Sequence, residues 1–147
     1  MQIAGEHEDS YDPDFYIYND VFVHHPDGTI QIYGYPEASF PPTDFHTATL
    51  VGEYIYIIGS LGNYGARQYE QTPVYRLDTR NFSIARVSTQ GDNPGWIYKH
   101  RAKRLSDQEI QIQGGTIVSV IKGDEQFVEN DASYILDLTS GAWRVCA

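Results

Sequence analysis

Cysteine is almost missing from this 147-residue chain. Cys146 stands alone, so no disulfide framework can form within it. Basic residues are scarce too: ten Lys and Arg against twenty Asp and Glu give a net charge of −10. Such a surface repels phosphate, which argues against a nucleic-acid partner. The acidity serves solubility and also suits a cationic partner. No apolar run approaches membrane-spanning length, so no membrane association is expected. The first residues, Met1 to Asp9, carry neither a basic region nor an apolar stretch, so no signal peptide is expected within them. The expectation is a soluble cytoplasmic protein. There is no helical period of useful length. A Gly-x-Ser-x-Gly elbow, a phosphate loop and a dinucleotide fingerprint are all lacking.

What is present is β-strand signal. Asp44 to Ser60 reads as two strands about the turn Gly52-Glu53, the second of them the aromatic and β-branched run Tyr54 to Ile58. Gly59 ends that strand. The arrangement returns from His100 to Gly115: a His, an Ala two residues on, a polar turn, an apolar strand, then glycine. His46 and His100 are 54 apart, Gly59 and Gly114 are 55 apart, and Gly5 precedes Gly59 by 54. The later part of each unit repeats as well. Val21 to Val23, Val74 to Asp78 and Tyr134 to Asp137 each precede a turn and a further strand. A period of this length with four short strands per unit points to β-propeller blades.

At these residues the chain resembles the kelch-repeat family. The His46 and His100 openings carry the likeness, with Gly114-Gly115 and its imperfect versions Gly59-Ser60 and Ala4-Gly5. So do Asn19 to Val23, the aromatic and acidic positions Tyr75/Asp78 and Tyr134/Asp137, and Trp143. The unit holding Phe82 and Ile84 departs from it, lacking the tryptophan. The resemblance implies an all-β chain of kelch-type blades, each of four antiparallel strands. The single domain 1–147 would divide into a partial blade over 1–35 and full blades over 44–90 and 98–146. Three strands, then four, then four leave the ring open. A second copy would close it, so a homodimer is expected, each lone arc leaving two apolar faces in water.

Glu6 to Tyr18, Gly34 to Thr43, Ser60 to Pro73, Ser88 to Tyr98 and Gly115 to Ala132 read as long connections sharing one face. The last is expected to hold an extra hairpin, Thr116 to Ile121 against Gln126 to Val128. The candidate protein-binding residues on these connections are Tyr35, Tyr64, Arg67, Tyr69, Trp96, Tyr98 and Arg101. Trp96 and Phe40, beside Pro and Gly, also suit packing between units, whereas Tyr64, Arg67 and Tyr69 suit contact. An acidic loop carries Glu6, Glu8, Asp9, Asp12 and Asp14. These are oxygen ligands of the kind Ca²⁺ takes, but the spacing matches no calcium loop and the sharp-turn glycine is missing. A solvated loop without metal is the reading. His24 and His25 point to opposite faces, unsuited to a shared metal. His46 and His100 read as structural.

The function expected is a non-enzymatic protein-binding module that needs no cofactor. Its rivals are an acidic immunity or inhibitor protein neutralising a basic toxin or enzyme, a carbohydrate-binding propeller whose aromatic loops stack on sugars, and a copper-oxidase-like enzyme. The family's copper oxidases use Tyr, Cys and His, and nothing in the sequence assigns such partners to Cys146.

Overall fold

The computed structural model describes residues 1–9 and 12–146, with side chains for all of these except 7–9 and 12–15. The described residues form strands throughout, with no α-helix and one short 3-10 turn, Tyr64–Ala66. No helix among them is long and apolar enough to cross a membrane.

In chain order the strands are β1 Gln2–Asp9, β2 Asp12–His24, β3 Ile30–Tyr33, β4 Thr47–Val51, β5 Tyr54–Ile58, β6 Val74–Asp78 and β7 Ile84–Arg86. They continue as β8 Gln90–Gly91, β9 Trp96–Tyr98, β10 Arg101–Arg104, β11 Glu109–Gln113, β12 Thr116–Ile121, β13 Asp124–Glu129, β14 Ser133–Asp137 and β15 Ala142–Cys146. They build four open sheets. The first has the order β1-β2-β3 and the second β4-β5-β6-β7. The third is β10-β11-β14-β15, antiparallel throughout, with β8 added parallel to β15. A small fourth sheet has the order β13-β12-β9.

Two expected connections turn out to be strands. Glu6 to Tyr18 is not a long loop: β1 and β2 run on as one hairpin, pairing Gly5 with Tyr18, Glu6 with Ile17 and His7 with Tyr16. Tyr16-Ile17-Tyr18 is itself aromatic and β-branched, and Ile17 is buried. The crossing segment Ser88 to Tyr98 also holds strand. Gly91 pairs with Trp143, and Trp96-Ile97-Tyr98 finds an edge on β12. The extra hairpin stands where it was expected, as β12 and β13.

Apolar alternation decides the stacking. On β5, Ile55 and Ile57 face the first sheet, whereas Tyr54, Tyr56 and Ile58 face the third. One core therefore joins Val21, Val23 and Phe40 to Ile57, Tyr75 and Leu77. The other joins Tyr56, Ile58 and Val74 to Ile97, Ile110, Ile112, Leu136 and Trp143. The second sheet lies between its neighbours, and both its faces are covered.

A histidine pins each of these two joints. His46 Nε2 donates to the Ile3 carbonyl at 3.0 Å. His100 Nε2 lies 3.0 Å from the Thr47 hydroxyl, which donates in turn to the Ile58 carbonyl at 3.4 Å. Ile3 and Ile58 are therefore equivalent as acceptors of these contacts, Ile58 ending β5 and Ile3 lying near the start of β1. The residue after each is left-handed: Ala4 at φ 51° and Gly59 at φ 81°, followed by Gly114 at φ 69°. The structural repeat thus aligns Ala4, not Gly5, with the two glycines, at a spacing of 55.

The Gly114-Gly115 pair splits into two different requirements. A Cβ on Gly114 would meet nothing within 4 Å, and Ala4 already holds the equivalent conformation. A Cβ on Gly115 would lie 2.6 Å from the Tyr98 carbonyl oxygen and 2.8 Å from the His100 nitrogen, both backbone. Clash is therefore a property of Gly115 alone. Gly114→Ala is expected to cost about 1 kcal/mol for the left-handed backbone, and Gly115→Ala about 3 kcal/mol as the backbone is forced apart. Urea unfolding of the two variants measures the difference, and equal losses would refute it.

Burial holds the His100 imidazole down at about 4, against 6.5 for a free histidine. Burial likewise lowers His46. The unfolded chain therefore binds a proton at His100 that the folded chain refuses. The contribution is complete above pH 6.5 and falls away as pH drops toward 4, amounting to about 3 kcal/mol over that window. His100→Gln should flatten the stability profile between pH 6.5 and 4, as read by denaturant titration at each pH.

Candidate functional site

The crossing segment between the first two sheets is fixed before any ligand arrives. Asn19 donates from Nδ2 to the carbonyls of Tyr35 and Phe40, each at 2.9 Å. Phe40 is wholly buried and meets Tyr75 edge-on at 5.3 Å. The Tyr35 hydroxyl donates to the Phe82 carbonyl at 2.6 Å, and burial pushes that hydroxyl up to about 12. The loop after β5 is fixed as firmly. Asp44 is fully buried and accepts the Gly62 amide at Oδ1, at 2.7 Å.

That loop then locks onto the β12–β13 hairpin. Arg67 Nη1 donates to both Glu125 oxygens, at 2.9 and 3.0 Å, and the Tyr69 hydroxyl donates to Glu125 Oε2 at 2.6 Å. Arg67 Nε and the Trp96 indole both donate to the Leu61 carbonyl, at 3.0 and 2.9 Å. The guanidinium also lies 5.8 Å from the Tyr64 ring and 5.9 Å from Phe127. The side chains of Arg67 and Glu125 are only 11% and 12% exposed. Hydrogen bonds from Tyr69 and Arg67 hold the Glu125 carboxyl below the ordinary carboxylate range.

Between the two fixed loops lies a cleft of about 540 Å³. The 37–42 segment forms one wall and the 63–68 turn the other, with Pro73, Tyr75 and Trp96 against them and Arg86 at the margin. Burial raises the Tyr75 hydroxyl, partly offset by Arg86, whose guanidinium stands 5.9 Å from the ring. Arg86 is exposed and makes a long, 3.4 Å bond to Gln68. Prolines, aromatic rings and one accessible guanidinium make a trough for an extended chain with an acceptor group near Arg86. A wider depression of about 700 Å³ lies at the short-turn end, bounded by Leu50, Glu53, Tyr54, Arg104 and Asp107. It is cut by the Arg104–Asp107 ion pair and has no comparable walls.

The residues expected to make contacts divide. Tyr64 is 70% exposed, and Arg101 is exposed at the start of β10. Arg67 and Tyr69 have their polar ends spent on Glu125 and act as a clamp. Trp96 is buried, with only its ring edge at the cleft. Tyr98 is half-buried in β9, 6.2 Å from the Phe45 ring, and Tyr35 is turned into the first joint. Tyr75 and Arg86 carry no sequence signal of a site, because both sit in strands, where an aromatic or a charged residue is ordinary. Of the acidic set, Glu6 lies on β1. The side chains of Glu8, Asp9, Asp12 and Asp14 lie outside the described residues, although their backbone is strand. Among the described residues no group of three His, Cys, Asp or Glu side chains is gathered as a metal site requires. Comparison with protein-family models finds no match, and neither does comparison with curated proteins.

The clamp makes its own prediction. Arg67→Met removes the Nη1 contacts to both Glu125 oxygens and the Nε bond to the Leu61 carbonyl, and should cost on the order of 2 kcal/mol. Arg67→Lys should recover little, since an ammonium cannot span both oxygens and the Leu61 carbonyl. Thermal unfolding of the two variants reads this out, and full recovery by lysine would contradict the bidentate account.

Proposed function

We propose that the chain is a kelch-type β-propeller module of about three units that binds another protein and performs no chemistry of its own. The repeated four-strand pattern, the paired histidine joints and the equivalent left-handed positions support the repeat reading. The observation that carries the binding reading is the cleft between the 37–42 segment and the 63–68 turn. Its walls are held by buried and part-buried bonds, so a ligand entering it need not order them. Its aromatic and proline lining suits an extended segment of a partner, and Arg86 suits a carboxylate or carbonyl on that segment.

Affinity capture from the source cells with the immobilised chain tests this. Ala66→Trp fills the mouth of the cleft and Arg86→Glu reverses its charge. Both residues are exposed, so both variants should keep the wild-type melting temperature. The partner captured by the wild type should be lost from both and retained by Leu50→Asp, at the far end. Undiminished capture by folded cleft variants would move binding elsewhere.

A further inference from the structure

The two end faces of the stack are not alike. On the second sheet, Tyr54, Tyr56, Ile58 and Val74 pack onto the third. The equivalent outward positions of the third sheet, read from the joints and pairings above, are Glu109, Gln111, Gln113 and Ser133. Ile135 is the apolar exception on β14, and it is only 8% exposed. Gln111 and Arg144 flank it in register, and Arg144 reaches Glu109 at 2.6 Å. This face covers itself with polar side chains, as a capping unit does. The expectation of two apolar faces therefore holds for one end at most.

The outward face of the first sheet is apolar along β2 and β3, with Gln2 of β1 beside Phe22. Phe22 sits at its centre, opposite Ile32 on β3, with Ile30 one pair further along beside His24. Ile30, Ile32 and Tyr16 are 55%, 63% and 58% exposed, and the Tyr16 ring lies tilted against Tyr18 at 4.8 Å. Asp20 and His24 bracket Phe22 on the same strand and the same face, two positions to either side.

We propose that this face is covered by the same face of a second copy, giving a two-fold dimer with Phe22 near the axis. A two-fold axis there sets Asp20 of each chain opposite His24 of the other, so a carboxylate acceptor on each copy meets an imidazole donor on its partner. Isologous contacts of this kind close after two chains. Joining first to third sheets around a ring would set Phe22, Ile30 and Ile32 against glutamines and a satisfied ion pair, stranding the apolar area. This inference concerns a surface separate from the cleft and survives or fails independently of it.

Sedimentation equilibrium at micromolar concentration tests it. The wild type should be a dimer. Ile32→Glu should weaken it by about tenfold or more, and Gln111→Lys on the third sheet should leave it unchanged. Asp20→Lys should weaken it, and adding His24→Asp to that variant should restore it. Asp20 is only half-buried, so circular dichroism of each variant separates dissociation from unfolding. A monomeric wild type, a dimer indifferent to Ile32→Glu, or one broken by Gln111→Lys would each overturn the proposal.

Discussion

Everything in this molecule hangs on two imidazole bonds between neighbouring sheets. Apolar faces supply the area that holds the sheets together, but area is non-directional and fixes no register. The donation from His46 to the Ile3 carbonyl, and from His100 through Thr47 toward Ile58, supplies direction. Burial lowers both imidazoles and so disfavours their charged form. The residue before each histidine, Phe45 or Lys99, is itself left-handed, at φ 53° and 59°. That shared turn aims the ring backward. The Lys99 amide then bonds the Phe45 carbonyl at 2.9 Å, carrying one joint into the next.

The binding face inherits its rigidity from the same joints. Asp44 lies two residues before His46, and it anchors the loop that leads to Arg67. Glu125 reaches that loop from a hairpin inserted into the third unit. One wall of the cleft is therefore braced from the joint and from the hairpin, while the other is pinned by Asn19. The arrangement places an adaptable surface on an unadaptable frame, the common division of labour between loops and sheets.

Much of the fold was legible because strands, turns and histidines repeat at a measurable spacing. The strand core of each unit, the extra hairpin and the structural role of His46 and His100 all follow from residue type and order. Glu6 to Tyr18 was misread because acidic residues outweigh the strand signal of Tyr16 to Tyr18 when a segment is read alone. Pairing across the hairpin overrides that composition. The site was less legible for a related reason. An arginine in a loop looks available, and only the distant Glu125 reveals that Arg67 is occupied. Arg86, the accessible one, looked like an ordinary strand residue. Burial partners 58 residues apart leave no local trace.

The joints also bear on how such a chain can grow by duplication. The second and third sheets each receive a histidine that reaches the sheet before, beside a left-handed position there. Ala4 and Gly59 serve as sockets of this kind, and Gly114 keeps the same backbone form. Yet the face beside Gly114 carries Glu109, Gln111 and Gln113. The third sheet therefore combines the backbone form of a socket with a polar surface.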